Sequence, residues 1–441
     1  MVKISIIMPI YNGAQFLNKT INSINNQTLK DIEIICVDDG STDDSLNVLE
    51  ELKTKYNSIK IIEQENQGSG KARNNGIRNA RGEFIAFLDA DDVFLDNHAL
   101  EVMYNFAIDN NADITSANLQ FIEKDYTFKE NWHYINGDYM YFTCYDFISP
   151  KDYGIPYAFY KNIFKRDFII KNEISFPDLI RGQDPIFLAE ALASTNKIYT
   201  VPLNFYGYNY SIGGGVNVKI NDFNKKYSYM QHFKDTCDTL KRGGLIDCAN
   251  TYKIHLLNYL TWRENIFDEE LYLIYDELFK GLEDYFDKTN EQYIKFNILS
   301  TFHSLLYETD NESFNNIKNK FSKISYAQDD IALEKLHLVI NSSSLDEVKS
   351  NYKNNPIKQW RKINKEFYNL EIGFFQQIVD NNSELILQNE ELLRKNKYLI
   401  NENNNMDDIK KINENRRLIN ENRRLINENR QLINKNRQNI N

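Results

Sequence analysis

Three carboxylates fall within four residues at Asp89-Ala90-Asp91-Asp92, directly after the apolar run EFIAFL at 83–88. Carboxylates two apart at the end of a strand can reach one hard divalent cation. Mg2+ or Mn2+ takes such oxygen ligands and shares them with substrate phosphates. The ion then neutralises charge on a departing diphosphate. A solvated turn, or a cap for a helix starting near Asp96, is the competing reading of the tetrad taken alone. A second acidic pair, Asp38-Asp39, offers acceptors for the imide N–H of uracil or for ribose hydroxyls, with a capping turn as its alternative. Further on, Gln67-Gly68-Ser69-Gly70-Lys71-Ala72-Arg73 reads as a glycine-permitted loop entering a helix, with Lys71 and Arg73 able to meet a diphosphate. It is not a P-loop, since Ala72 stands where a Ser or Thr would bind magnesium and Glu65 where the first glycine would be. It is not a dinucleotide fingerprint either, because Arg73 replaces a required glycine.

The elements that must position these residues are short apolar runs alternating with amphipathic stretches. Residues 3–9, 32–38, 59–63 and 83–89 read as strands. Residues 14–27 carry Phe16, Leu17, Ile21 and Ile24 on one helical face. A second helix bears Leu46, Val48, Leu49 and Leu52, with Ser41 and Thr42 expected to cap it, and a third covers 71–80. Strands alternating with helices imply a mainly parallel sheet in an α/β domain, which binds ligands outside the carboxyl ends of its strands. Pro9-Ile10-Tyr11-Asn12, Asp38-Asp39 and Asp89-Ala90-Asp91-Asp92 all fall there. That shared rim is the argument against reading each as a mere turn.

The bulk numbers exclude several classes. A net charge of −11 argues against a nucleic-acid binder, which needs a basic face. The four cysteines, Cys36, Cys144, Cys237 and Cys248, have no metal-ligand spacing and read as thiols in a reducing cytosol. No apolar stretch is long enough to span a bilayer, and no signal peptide is evident. A cytoplasmic protein, peripheral to the membrane at most, is expected. The 28 Tyr and 27 Phe read mostly as core, with sugar-stacking faces as the alternative for some.

The set ISIIMPIYNGAQFL, VDDGSTDDS, NQGSGKARNNGI and RGEFIAFLDADD, in this order and spacing, closely resembles the family 2 glycosyltransferases of the GT-A fold. The resemblance covers about residues 1–235. Tyr160-Lys161-Asn162-Ile163-Phe164-Lys165-Arg166 and Ile174-Ser175-Phe176-Pro177 are similar to the acceptor-side part of bacterial members. The resemblance implies inverting transfer from a nucleotide sugar, usually a UDP-sugar, with Mn2+ or Mg2+ as cofactor. It implies that Pro9, Tyr11, Asn12 and Asp39 contact the nucleoside, that Arg73 lies near the base or diphosphate, that Asp89 contacts the nucleotide, and that Asp91 binds the metal. Asp38, Lys71 and Ala90 complete the expected nucleotide-sugar site. The general base is the Asp of a Glu-Asp pair after the acceptor segment; here Arg181-Gly182-Gln183-Asp184 stands at that place, which makes Asp184 the base. Gln183 departs from the pattern. So does Tyr208-Asn209-Tyr210-Ser211, which lacks the Arg of the family's later Tyr-Arg pair. Gly213-Gly214-Gly215 reads equally as a mobile loop over the donor or as a passive turn.

The expected organisation is a GT-A domain at 1–235, a helical domain at 236–375 and a heptad-repeat tail at 376–441. In the tail, INENRRL recurs with a period of seven, placing Leu at d and Asn389, Asn396, Asn403, Asn422, Asn429 and Asn436 at a. That pattern specifies a weak two-stranded coiled coil and hence a homodimer. A basic helix lying on an anionic inner membrane, or a solvated tail, is the alternative. The expected partners are a nucleotide-sugar donor and a glycan or glycolipid acceptor, such as capsule or lipooligosaccharide. A nucleotidyltransferase with a related core, or an inactive scaffold, is the rival function. The first would want a basic glycine-rich loop where Tyr11-Asn12-Gly13 stands, and the retained Asp39, Asp91 and Asp184 argue against the second.

Overall fold

The computed structural model describes residues 1–123, 126, 142, 144–209, 222–261, 268–279, 291–326 and 331–354. Tyr210, Ser211, Gly213–Gly215 and the heptad repeats lie outside the described residues. The chain divides into two compact units, Met1–Lys288 and Thr289–Asn441.

The first unit is built on one sheet. Strands β1 (Ile4–Ile10), β2 (Ile32–Asp38), β3 (Ile59–Glu63) and β4 (Phe84–Phe87) run parallel in the order β3-β2-β1-β4. β1 is buried at every position, as expected for a strand covered on both faces, and its near-continuous Ile and Met content is the sequence signature of that environment. Helix α1 (Ala14–Asn25) buries Leu17, Ile21 and Ile24. Helix α2 (Ser45–Lys55) follows β2, and helix α3 (Ser69–Asn79) packs on β1 and β2. The close seating of α3 requires Gly76, where an added Cβ would stand 2.3 Å from Ile7 Cγ2. Because the chain winds β1-β2-β3 to one side and then returns to place β4 on the other, the strand order reverses between β1 and β4. A crevice for ligands opens at such a reversal, outside the carboxyl ends.

The sheet continues with strands of mixed direction. After β5 (Val93–Phe94), α4 (Ala99–Asp109), β6 (Ile114–Ile122) and β7 (Asp146–Ile148) come β8 (Asn162–Lys165), α5 (Arg166–Lys171), α6 (Gln183–Ala193) and β9 (Ile198–Asn209). β8 lies antiparallel to β4, and β5 pairs antiparallel with β9. An aromatic core fills the space beneath α6. Phe87 meets Phe159, Phe164, Phe176 and Phe187 edge-on, and Phe176 stacks flat on Phe187 at 4.1 Å. These phenylalanines are core, as their abundance suggested.

Helix α7 (Phe223–Arg242) packs on α6 and runs unbroken through residue 235, where a domain boundary was expected. Together with α8 (Ile246–Thr261) and α9 (Glu269–Phe279) it belongs to the first unit, held in part by Lys226 between Asp268 and Glu270 at 2.9 and 2.7 Å. The division therefore falls at Lys288, later than the composition shift near 236 suggested. The described part of the second unit is helical: α10 (Glu291–Leu305), α11 (Asn311–Phe321), α12 (Ile331–Asn341) and α13 (Leu345–Asn354). Among the described residues, no helix is long and apolar enough to cross a membrane.

Candidate active site

The rim at the β1/β4 switch point is assembled from four loops that lock one another. At the end of β1, Asn12 takes a left-handed conformation (φ 54°) that an Asn tolerates better than most side chains. Its Oδ1 accepts from the amides of Thr42 and Asp43 at 2.8 and 3.2 Å, and its own amide donates to Ser41 Oγ at 3.0 Å. Ser41 and Thr42 therefore do not cap α2, which begins only at Ser45; they are held by Asn12 instead. Pro9 is buried in β1 beside Val37, while Tyr11 is 53% exposed. Asn12 thus shapes the rim and Tyr11 presents an open ring to it.

At the end of β2, the two acids divide their work. Asp39 is buried and accepts three bonds: from Gln64 Nε2 at 2.8 Å, and from the amides of Gln67 and Gly68 at 2.9 and 2.8 Å. It holds the loop that leads into α3, where Gly68 sits at φ 92°. Asp38 accepts from the amide of Ser41 at 3.1 Å through Oδ2, while its buried Oδ1 has no partner among the described residues. A buried acceptor without a donor is costly, so this oxygen is an available receptor for an imide or hydroxyl donor.

On α3, Lys71 pairs at 3.0 Å with the exposed Asp178. Arg73 turns inward and is 4% exposed. Its Nη2 donates to Asp89 Oδ1 at 2.7 Å and its Nη1 to Asp184 Oδ1 at 3.2 Å. The guanidinium lies 5.0 Å from the Phe159 ring and 5.3 Å from that of Phe176. Its fork is closed on two carboxylates of the protein, which is a different arrangement from a free phosphate ligand.

After β4, Asp89 faces Arg73, and Ala90 is set by Thr20, whose hydroxyl donates to its carbonyl at 2.7 Å. Asp92 is buried and works as an anchor. Its carboxylate accepts from Tyr206 Oη at 2.5 Å and from the amide of Asn209 at 2.7 Å, and the Asp89 amide donates to Tyr206 Oη at 3.2 Å. The antiparallel pairing of Phe94 with Tyr206 brings these groups together. Burial, then the charges of Asp91 and Asp89, push the Asp92 pKa well up. Asp91 is left facing the rim. Burial first, and the Asp89 charge second, raise its pKa to about 6.

Asp184 occupies the first turn of α6, after Gly182 in the left-handed region at φ 85°. Desolvation raises its pKa, with Asp89 adding to the rise and Arg73 opposing it. Its side chain keeps 37% of its surface open. Gln183 is buried and donates to the Leu179 carbonyl at 2.5 Å, fixing the turn that precedes the helix.

The structure thus brings Asp89, Arg73 and Asp184 into direct contact and sets Asp91, Asp38 and Tyr11 on the same rim. Lys71 stands at the edge, in its pair with Asp178. Sequence reasoning missed Tyr206 and Asn209 as anchors of the acidic loop, and Phe159 and Phe176 as the plates around Arg73. Phe176 and Asn209 fall in segments singled out for other reasons, but nothing local marks these contacts, because each joins segments far apart in the chain.

A mainly parallel sheet with a ligand rim at its switch point, and an acidic loop ending β4, fits a glycosyltransferase of the GT-A fold. Residues 5–169 match the family described as Glycosyl transferase family 2. It is similar to a cholesterol galactosyltransferase of Borreliella burgdorferi, with 29% identity over 65% of this chain and 85% of that protein. It is also similar to a poly(ribitol-phosphate) beta-glucosyltransferase of Bacillus spizizenii, 33% identical over 47% of this chain and 35% of that one. Of the second relative it therefore spans about a third. Among solved structures it is similar to Staphylococcus aureus TarS 1-349 in complex with UDP, with 18% identity, a TM-score of 0.47, and coverage of 80% of this chain and 91% of that one.

Proposed function

We propose that this enzyme transfers a sugar, with inversion, from a UDP-linked donor to a hydroxyl of a bacterial surface glycan, with Asp184 as general base and a divalent metal held by Asp91. The observation that carries the reading is the contact of Arg73 with both Asp89 and Asp184. It joins the nucleotide side of the rim to a solvent-facing carboxylate whose raised pKa suits proton abstraction.

In this reading Asp184 takes the proton of the acceptor hydroxyl. The acceptor oxygen bonds to the anomeric carbon as the bond from that carbon to the diphosphate oxygen breaks, and UDP leaves on the opposite face. No second carboxylate is needed as acid. Asp38 Oδ1 receives the uracil imide or a ribose hydroxyl, in preference to Asp39, whose oxygens hold the loop into α3. Tyr11 supplies a face for the base, and Lys71 exchanges Asp178 for the diphosphate.

The residues fit a hard cation. Asp91 faces the rim beside Asp89, and its pKa is raised by burial first and by the Asp89 charge second, with Arg73 opposing. Among the described residues, no three His, Cys, Asp or Glu cluster as a complete metal cage. One carboxylate plus substrate phosphates is how Mg2+ and Mn2+ are commonly held. When bound, the ion supplies charge neutralisation on the leaving diphosphate.

The relatives are named for cholesterol and for poly(ribitol-phosphate), two unlike molecules, so their names single out no one acceptor. A capsule or lipooligosaccharide acceptor, a cytoplasmic site of action at the inner membrane, and dimerisation through the 376–441 repeats complete the proposal. A panel of UDP-, GDP- and TDP-sugars with Mn2+, read as released nucleotide, tests the donor class. UDP release from one UDP-sugar is expected. Pyrophosphate release from a nucleoside triphosphate would instead indicate the nucleotidyltransferase, and no turnover with any donor would indicate the scaffold.

A further inference from the structure

Arg73 carries more than a pairwise ion bridge. Its guanidinium is buried between the Phe159 and Phe176 rings, and it bonds Asp89 from the end of β4, Asp184 from α6 and Ser69 Oγ, the last at 3.4 Å. Phe176 also stacks on Phe187 of α6, so the plate that confines the arginine also fixes the helix bearing Asp184. Arginine suits this post because its rigid planar fork aims separate N–H groups at two acceptors while its flat face stacks on aromatic rings; a lysine ammonium has no such planar fork.

Among the described residues, the charges around Asp184 are few. Arg73 approaches from α3 and Asp89 from β4. On α7, His232 lies under Gly182 and burial holds it neutral, with a pKa lowered to about 3. Arg181 lies over the Tyr229 ring, and Lys71 is paired with Asp178. Arg73 is the cation that bonds to Asp184 directly.

We propose that Arg73 is a positioning residue for the reaction, one that fixes both the direction and the charge of the Asp184 carboxylate from the donor side of the site. It acts through Asp184 and does not touch the reacting atoms. The proposal rests on the assignment of Asp184 as base.

The test measures transfer by the full-length protein from pH 5 to 9 at saturating Mn2+, for the wild type, Arg73→Met, Arg73→Lys and Asp184→Asn. An opposite charge at this range lowers a carboxyl pKa by about 1–3 units. Arg73→Met is therefore expected to move the acid limb of kcat upward by about one unit or more, so that activity falls about fivefold or more near the wild-type midpoint and recovers at high pH. Arg73→Lys, which keeps the charge and loses the fork, should leave the limb in place with a lower plateau. Donor KM should move little in either. A uniform fall in kcat with the limb unmoved would overturn the proposal, as would a raised donor KM alone, which is the mark of a phosphate ligand. If Arg73→Met does not fold, Arg73→Gln carries the same test. Near-normal transfer by Asp184→Asn would sink the base assignment itself, a result distinct from an unmoved limb in the Arg73 variants.

Discussion

Replacing Gly182 with alanine places two costs on one Cβ. The residue sits at φ 85°, in the left-handed region, and an ideal Cβ there would lie 2.6 Å from both His232 Cβ and His232 Cγ. Forcing an L side chain into that backbone region costs about 1–2 kcal/mol. Overpacking a filled site adds about 1–3 kcal/mol, for a total of about 2–5. Little can yield, because His232 is fully buried and its Nδ1 is engaged with the Tyr229 carbonyl. Denaturant unfolding of Gly182→Ala should show this loss. In a His232→Gly background, which removes both atoms, the overpacking part should vanish and only about 1–2 kcal/mol remain, a non-additivity that reports the contact itself. Because Asp184 lies two residues on, transfer should fall about tenfold or more even in protein that remains folded. A cost below about 0.5 kcal/mol, or full additivity with His232→Gly, would refute the reasoning.

Three other outcomes are expected. Tyr206→Phe strips a donor from the buried Asp92 carboxylate and should cost about 1.5–3 kcal/mol in unfolding experiments; an unchanged midpoint would mean Asp92 does not anchor the acidic loop. Asp91 keeps its proton up to about pH 6 because burial and Asp89 raise its pKa, and it must release that proton to take a metal. Apparent Mn2+ affinity, followed by the EPR signal of the free ion, should therefore fall about tenfold per pH unit below that point, and a pH-independent affinity between 5 and 7 would remove Asp91 as ligand. Lys71→Ala breaks an exposed pair worth about 0–1 kcal/mol, so stability should hold while donor KM rises about tenfold; an unmoved KM would take Lys71 out of the diphosphate site.

Much of the rim was legible in the sequence because its signals are local. Apolar runs ending in Pro9, Asp38 and Asp89 mark buried parallel strands. The glycine at 68 and the amphipathic stretch after it mark the loop and helix that carry Lys71 and Arg73. Roles were harder to read than places. Asn12 and Asp39 carry residue types suited to a ligand, yet both spend their hydrogen bonds on neighbouring loops, and only the folded geometry shows that Asp38 keeps an oxygen free. Tyr206 lies more than a hundred residues beyond Asp92 and reaches it through a two-residue strand pairing that no periodicity announces. The end of the first unit is hard to read for a related reason. The composition turns helical near 236, but α7 packs on α6 and continues the unit to Lys288.

The central claim, that Asp184 is the base of a nucleotide-sugar site sharing Arg73 with Asp89, is tested most directly by Asp184→Asn. UDP affinity and sugar transfer are measured on the same protein with Mn2+, donor and acceptor. The account predicts UDP affinity within about threefold of wild type and transfer lowered by about a hundredfold or more. Transfer at near wild-type rate would contradict it.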